Sequence, residues 1–224
     1  MEIIKGKREE LDSKAAKLIS EAIWKASEEK TNVVLGLTGG RNSYGVLQEL
    51  READVDWTKV EIFMIDETYV PLDKPESHFQ AVNGQLISYL VEEAGKLPLG
   101  NVHPFNYRKS LQGYNDEFMA AGGRFDIVLL TLEEDCRTAS LLDEYDVDGG
   151  EAFVEVEGVS KGAKEGMTAT RALLGDAGTV LALAYGESSR RILDEFYDDR
   201  VSVGMSPVKM FKGKGEFYLL TDLS

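Results

Sequence analysis

The chain alternates between amphipathic segments and uniformly apolar ones. Residues 8–29 repeat apolar side chains every three or four positions, which is typical of a helix with one buried face. The same pattern predicts further helices over 43–53, 79–94, 111–121 and 187–198. Apolar runs predict buried strands over 32–40, 59–66, 101–105, 125–132, 178–186 and 215–223. This alternation predicts an α/β fold: a doubly wound, mostly parallel, Rossmann-like sheet covered by helices on both faces.

One part of the chain departs from this alternation. Within 150–175, polar and apolar residues follow one another in the segments "AFVEVEGV" and "GMTATRALL", a period of two that predicts a small antiparallel element. The sequence shows no internal repeat and no convincing interdomain linker. We therefore expect residues 1–224 to form a single α/β domain.

The charge balance limits the classes of partner. The 224 residues include 40 acidic and 25 basic side chains, a formal net charge of −15, which opposes binding to nucleic acid or to an anionic membrane. An anionic ligand therefore requires a local cluster of positive charge. A single cysteine, no apolar leader segment and no apolar run near ~18 residues predict a cytoplasmic protein without a membrane span.

Ligands of open parallel sheets bind where strands end and helices begin, so the loops at those points are the candidate sites. The first is "LTGGRNSYGVL", in which Gly39 and Gly40 precede Arg41, Asn42 and Ser43. Two glycines before a helix allow close backbone approach to a phosphate. A plain turn with a capping residue explains the same letters, and the spacing matches neither the Walker A nor the dinucleotide-binding motif.

The second loop, "MIDETYVPLDKPESHF", places Asp66 and Glu67 at a strand end and continues through Lys74 and Ser77 to His78. Adjacent carboxylates can supply or orient a general base, because each charge shifts the pKa of its neighbour. Solvated loop acids are the alternative. Any imidazole chemistry falls first to His78, since the other histidine lies within a predicted strand.

A third loop, "TLEEDCRTASLL", carries Asp135, Cys136, Arg137 and Ser140. The carboxylates beside Cys136 raise the pKa of its thiol, which disfavours a nucleophilic role. One cysteine and two distant histidines do not predict a zinc site.

Four segments, in order along nearly the whole chain, resemble the 6-phosphogluconolactonase family, which shares a superfamily with the glucosamine-6-phosphate deaminases. "LTGGRNSYGVLQEL" is similar to its SGGSTP loop, and "IDETYVPLDKPESHF" is similar to DERYVP followed by HPDSNYR. "FDIVLLTLEEDCRTASLL" resembles FDLVLLGMGEDGHTASLF, and "MTATRALLGDAGTVLALAYGE" resembles RITLT followed by VLLLVTGEEK.

The resemblance implies hydrolysis of the lactone of 6-phosphogluconolactone, a pentose phosphate pathway reaction, without a metal or organic cofactor. In that family a histidine of the GEDGHTAS loop activates water, and basic residues bind the phosphate. Here Arg137 stands at the position of that histidine. The family's basic residues align with Thr68, Gln80, Gly166 and Ser189. The basic side chains that could replace them are Arg41, Lys74, Arg137, Lys164 and Arg190.

Three hypotheses follow. The first is a lactonase-like hydrolase in which Asp135, Glu67 or His78 activates water, with Asp66 and Arg137 in the same site. The second is a protein of the same fold that binds a sugar phosphate without turnover. The third is an amino sugar phosphate isomerase or deaminase. Each implies a small sugar phosphate as ligand and a monomer or homodimer. The candidate binding residues are Gly39, Gly40, Arg41, Asn42, Ser43, Lys74, Ser77, Ser140, Lys164 and Arg190.

Overall fold

The computed structural model describes residues 1–106, 108–132, 139–141, 150–160 and 163–223. Seven strands form one sheet in the order β1-β10-β9-β6-β2-β3-β5, and every neighbouring pair is parallel. These strands are β1 (Glu2–Lys5), β2 (Val33–Leu37), β3 (Val60–Met64), β5 (Val102–His103), β6 (Ile127–Thr131), β9 (Thr179–Ala184) and β10 (Phe217–Thr221). A second, antiparallel sheet contains β4 (Asp66–Thr68), β8 (Ala163–Ala169) and β7 (Phe153–Ser160) in that order.

Helices connect the strands. They are α1 (Arg8–Glu29), α2 (Tyr44–Arg51), α3 (His78–Val82), α4 (Leu111–Ala120), α5 (Arg171–Asp176) and α6 (Arg190–Tyr197). Helix α3 continues through π-helical turns over Asn83–Ile87 and Tyr89–Glu93. Short 3-10 helices cover Arg41–Ser43, Trp57–Lys59, Leu99–Asn101, Glu187–Ser189 and Pro207–Phe211. Within the described part of the chain, no helix is long and apolar enough to cross a membrane.

The core lies on both faces of the large sheet. Every residue of β2, β6 and β9 is buried, as expected for strands that are covered on both sides. Helix α1 packs its apolar stripe against β2, β6, β10 and α2. Phe118 contacts the rings of Phe63 and Phe153 edge to face, which joins the large sheet to the small one.

The predicted α/β fold with a parallel sheet and a small antiparallel element is confirmed, and three details differ. Strand β1 was not predicted, because four residues are too few to show a period. The predicted strand over 59–66 ends at Met64, and Asp66–Thr68 pairs with β8 in the second sheet. The predicted alternation over 166–174 ends at Ala169, since the Thr170 hydroxyl accepts a hydrogen bond from Leu173 N at 3.2 Å and caps α5.

The parallel arrangement brings the carboxyl ends of β2, β3, β6 and β9 to one edge of the sheet. The glycine pair follows β2, Asp66 follows β3, Leu132 follows β6 and Tyr185 follows β9. Loops that are far apart in sequence therefore meet at this edge.

Candidate functional site

A cleft of about 360 Å³ lies at this edge of the sheet. Its wall is formed by residues 39–42, 44, 75, 77, 78, 81 and 188. They belong to the turn after β2, the segment that enters α3, and the 3-10 helix after β9. None of these lining residues is Asp or Glu, whereas Arg41 and His78 can carry positive charge. The wall is thus locally cationic in a chain of net charge −15.

The glycine turn is packed too tightly for any side chain. A Cβ on Gly39 would lie 2.4 Å from the Cα of His78, and a Cβ on Gly40 would lie 2.0 Å from Oγ1 of Thr131. Ser43 braces the turn, since its backbone N–H and its hydroxyl donate to the Gly40 carbonyl at 3.0 and 2.7 Å. Ser43 is therefore a buried part of the turn and does not line the cleft.

Asp66 connects two residues from other segments. One of its carboxylate oxygens lies 3.1 Å from Nδ1 of His78, and the other accepts a hydrogen bond from Ser140 Oγ at 2.6 Å. The same Nδ1 lies 3.1 Å from the Asp66 carbonyl oxygen and hydrogen-bonds to it, so its contact with the carboxylate is an ion pair. Asp66 is 3% exposed and the His78 side chain 21% exposed. The imidazole therefore forms part of the cleft wall, and the carboxylate supports it from inside.

The charges of this pair reinforce each other. Burial alone would raise the pKa of Asp66, but the His78 charge and the hydrogen bonds from His78 and Ser140 outweigh it and lower the pKa. Burial likewise opposes the charge on His78, but Asp66 and Glu67 outweigh it and raise the pKa of His78 to about 9. At neutral pH, the pair is therefore a carboxylate and an imidazolium.

Glu67 has a different environment from its neighbour Asp66. It is 0% exposed, and one carboxylate oxygen accepts from the N–H groups of Thr68 and His78 at 2.8 and 2.7 Å. The other oxygen accepts from the Ser77 hydroxyl at 3.0 Å and from Phe79 N at 2.7 Å. Burial raises the pKa of Glu67 even though His78 and these N–H groups oppose the rise. Glu67 thus holds the first turn of α3, where His78 begins the helix, and does not face the cleft.

Residues Ala139 and Ser140 have unusual backbone angles. Their φ values are +51° and +57°, in the left-handed region that side chains disfavour. Two hydrogen bonds hold them there: Thr168 Oγ1 donates to the Ala139 carbonyl, and Ser140 Oγ donates to Asp66. Backbone strain of this kind persists only where the surroundings impose it. Ser140 is buried, so it contacts Asp66 rather than the cleft.

The predicted basic residues are placed differently from one another. Arg41 is exposed, lines the cleft and forms no ion pair with any described residue. Lys74 is exposed but does not line the cleft. The guanidinium of Arg190 pairs with both carboxylate oxygens of Glu187, at 2.6 and 2.7 Å. Asp135, Arg137 and the side chain of Lys164 lie outside the described residues.

Two of the positions that align with basic residues of the resembled family are buried here. The Thr68 hydroxyl donates to the Glu76 carbonyl at 2.8 Å, and the Ser189 hydroxyl donates to the Leu132 carbonyl at 2.9 Å. Both residues are 0% exposed. Their side chains are therefore engaged with the backbone and do not reach the cleft.

The sequence analysis did not identify every residue of the wall. Tyr44 and Ser188 line the cleft beside Asn42 and Ser77, which it did identify. Ser188 lies in the loop "YGESSRR", and its place at the junction of a predicted strand and a predicted helix could have identified it as a candidate. Tyr44 follows the predicted turn directly and had no signal of its own. Among the described side chains, no group of three or more His, Cys, Asp or Glu residues could hold a metal ion.

Comparison with known proteins identifies the family. The family model described as glucosamine-6-phosphate isomerases/6-phosphogluconolactonase matches residues 6–219. The chain belongs to this family. A 6-phosphogluconolactonase from Synechocystis sp. is 26% identical, and the alignment covers 95% of this chain and 91% of that protein. A 6-phosphogluconolactonase from Thermotoga maritima is 34% identical over 123 residues, which are 53% of this chain and 54% of that protein.

The fold of this glucosamine-6-phosphate isomerase/6-phosphogluconolactonase family member also agrees with a solved relative. The crystal structure of a 6-phosphogluconolactonase from Thermotoga maritima superposes with a TM-score of 0.84, covering 98% of this chain and 97% of that one. The identity over this superposition is 24%, so the agreement concerns the fold. The glycine turn after β2 and the acidic end of β3 therefore lie on a scaffold that the family shares.

Proposed function

We propose that the chain is a hydrolase of the 6-phosphogluconolactonase type, which acts on a phosphorylated sugar lactone in the cytoplasm without a cofactor. The observation that carries the proposal is the Asp66–His78 pair in the wall of a cleft beside the glycine turn. Family membership supports the same substrate class. We expect the protein to act as a monomer or a homodimer.

The phosphate is expected to bind at the glycine turn. Gly39 and Gly40 line the cleft, so the turn presents its backbone there, and Arg41 adds an unpaired guanidinium among the described residues. The absence of acidic side chains from the described wall keeps this part of an acidic protein attractive to an anion. A six-carbon lactone bound this way extends toward His78.

His78 is the best of the described candidates for moving a proton. Glu67 accepts four hydrogen bonds inside the protein, and Asp66 is buried behind the imidazole. Nδ1 of His78 is engaged by Asp66, which leaves Nε2 as the nitrogen that can exchange a proton with a ligand. We therefore assign proton transfer to His78 and the support of its ring to Asp66.

The proposed reaction uses one imidazole twice. Neutral His78 takes a proton from water through Nε2 while the water oxygen bonds to the lactone carbonyl carbon. The ring C–O bond then breaks, and Nε2 returns the proton to the departing ring oxygen. The products are a carboxylic acid, which ionises, and a hydroxyl group. With a pKa of about 9, roughly 1% of His78 is neutral at pH 7. A lactone is an activated ester, so positioning compensates for part of this deficit.

The same charge favours a second candidate function. An imidazolium beside Arg41 is better suited to holding an anion than to activating water. The chain would then bind a sugar phosphate without turning it over. Hydrolysis separates the two candidates, because only the first predicts turnover.

The test measures hydrolysis of freshly generated 6-phosphogluconolactone by wild type, His78→Gln and His103→Gln. We expect hydrolysis above the spontaneous rate in wild type, a fall of about 100-fold or more in His78→Gln, and little change in His103→Gln. His103 is the matched control, since this residue of β5 pairs with Glu61 of β3 and does not line the cleft. The value of kcat should rise with pH, reach half its maximum near pH 9, where half of His78 is neutral, and level off above that pH.

Calorimetric titration with 6-phosphogluconate completes the test. Binding without hydrolysis would replace the lactonase by the binding protein. Equal loss of hydrolysis in both histidine variants would contradict the role of His78 while leaving the activity in place. A wild type that neither hydrolyses the lactone nor binds the product would contradict both candidates.

A further inference from the structure

Arg8, the first residue of α1, reaches the wall of the cleft from a part of the chain that no motif marked. Its Nη2 donates a hydrogen bond to Oδ1 of Asn42 at 3.2 Å, and Asn42 lines the cleft. Its guanidinium carbon lies 5.0 Å from the centre of the Tyr185 ring. Tyr185 begins the loop after β9, and Ser188 of that loop also lines the cleft. Arg8 is therefore one hydrogen bond from the wall, between the glycine turn and the loop after β9.

The charge of Arg8 remains available to a ligand. Arg8 forms no ion pair with any residue in the described ranges, and one hydrogen bond leaves most of its five N–H donors unused. Asp12, one turn along α1, is 6% exposed. Burial raises the pKa of the Asp12 carboxyl, although Tyr185 and Arg8 oppose the rise. Asp12 and Arg8 attract each other across one helical turn, but no ion pair forms between them within the described ranges.

The other described cations do not fill this place. Arg190 follows Ser188 in sequence, but its guanidinium is engaged by Glu187. Ser189, at the position that aligns with the family lysine, is buried against the backbone. Near the loop after β9, Arg8 contacts the wall of the cleft through Asn42.

We propose that Arg8 binds the phosphate of the ligand between Asn42 and the loop after β9, and so supplies from α1 a charge that the resembled family takes from that loop. This inference rests on the proposed sugar phosphate site and names a residue of it. A guanidinium suits the task, because its planar fork matches two phosphate oxygens. The Tyr185 ring and the Asn42 amide hold that plane in place before a ligand arrives.

The test compares Arg8→Gln with Lys14→Gln. Both variants remove one positive charge from an exposed position of α1, and only the first removes the contact with Asn42. Calorimetric titrations use 6-phosphogluconate and gluconate, which differ only by the phosphate. We expect Arg8→Gln to weaken 6-phosphogluconate binding about tenfold or more and to leave gluconate binding within about twofold. Lys14→Gln should change neither.

Turnover adds a second measurement. In Arg8→Gln, KM for the lactone should rise by the factor seen in the titration while kcat stays within about twofold, since the phosphate is remote from the reacting carbon. Arg8→Lys should restore part of the affinity, because it keeps the charge and loses the fork. The thermal midpoint should stay unchanged in all three variants, which separates a binding role from a structural one.

Several results would overturn the inference. These are equal weakening of both ligands, equal effects of Arg8→Gln and Lys14→Gln, or no effect of Arg8→Gln at all. If wild type binds 6-phosphogluconate without hydrolysis, the lactonase proposal fails and the Arg8 comparison is still decided by the titration. If hydrolysis persists and Arg8→Gln matches wild type, the Arg8 inference fails alone. A wild type that does not bind 6-phosphogluconate overturns both.

Discussion

Two loops occupy equivalent places in the fold and differ in what they bring to the cleft. The segment after β3 leads into α3, and the segment after β9 leads into α6, both from the same edge of the sheet. The first places the cation of His78 in the cleft wall. The second contributes Ser188, while its cation, Arg190, pairs with Glu187 at the surface. Equivalent positions in the fold therefore do not imply equivalent roles.

The difference lies in the carboxylate that each loop contains. Glu67 is buried and accepts from the N–H groups of His78 and Phe79, so it determines where α3 begins. The Glu187 side chain is 76% exposed, and its ion pair among the described residues is with the residue three positions later. An exposed pair of this kind constrains little, whereas a buried carboxylate with several donors constrains the whole loop. Burial of the acid decides whether the neighbouring cation is directed into the cleft.

The largest expected effect comes from Glu67→Gln, which breaks the first loop. The amide replaces one carboxylate oxygen by an NH₂ group, which cannot accept a hydrogen bond. The Ser77 hydroxyl and Phe79 N then lose their acceptor or clash with the new N–H groups. We expect the free energy of unfolding to fall by about 3 kcal/mol, as when buried donors are left unsatisfied. Urea denaturation measures it.

Glu76→Gln is the matched control for that variant. Glu76 lies in the same loop and is exposed, and its backbone carbonyl, which the substitution keeps, accepts a hydrogen bond from Thr68. Its unfolding curve should coincide with that of wild type. If Glu67→Gln is as stable as Glu76→Gln, the buried carboxylate does not hold the loop. Burial of the acid would then not explain the difference between the two loops.

The second effect is the pH dependence of stability that His78 introduces. The unfolded imidazole loses its proton near pH 6.5 and the folded one near pH 9, so the folded state binds more protons between these values. The stabilisation is complete below pH 6.5 and is lost as the pH rises through about 9, and it amounts to about 3 kcal/mol. Denaturation of wild type and Asp66→Asn at several pH values measures it.

Asp66→Asn should remove most of this dependence, because Asp66 is the chief source of the raised pKa of His78. The difference between the two proteins cancels the titration of other groups. A wild type whose stability rises between pH 6.5 and 9, or parallel curves for both proteins, would contradict the pairing of Asp66 with His78. An NMR titration of the His78 ring gives the same answer directly.

The smallest effect is expected in the second loop. Arg190→Gln removes an exposed pair, so the melting temperature should stay within about 1 °C and KM for the lactone within about twofold. A rise in KM of tenfold or more would instead return Arg190 to the site, as the sequence analysis had proposed. Such a result would make the two loops alike in function.

The helices and strands with a clear pattern of apolar residues could be predicted from the sequence. Runs such as "FDIVLL" are buried on both faces of the sheet, so their composition alone predicts a strand, and 8–29 has a helical period over its whole length. Strand β1 was missed because "EIIK" is short and ends in Lys5. Helix α5 was missed because Thr170, which caps it, is also common in strands. The single-domain organisation stays a prediction.

The site was predicted only in its outline. Gly39, Gly40 and the strand-end acids were identified because their place in an α/β pattern is informative. The division of roles between Asp66 and Glu67 could not be predicted, since it depends on how the intervening loop returns His78 to the strand end. Arg8 was missed for a similar reason, because its contact with Asn42 joins residues 34 positions apart. The roles of the site residues stay predictions.

The tight glycine turn also restricts how this protein can change over evolution. Gly39 touches the backbone of His78, and Gly40 touches Thr131, so three segments meet with no space for another atom. A larger residue at either glycine would require simultaneous adjustment of a helix start and a strand end. Single substitutions of Gly39 or Gly40 are therefore not tolerated. New ligand preferences would have to arise at exposed positions of the rim, such as Arg41 and Ser188, where a side chain can vary alone.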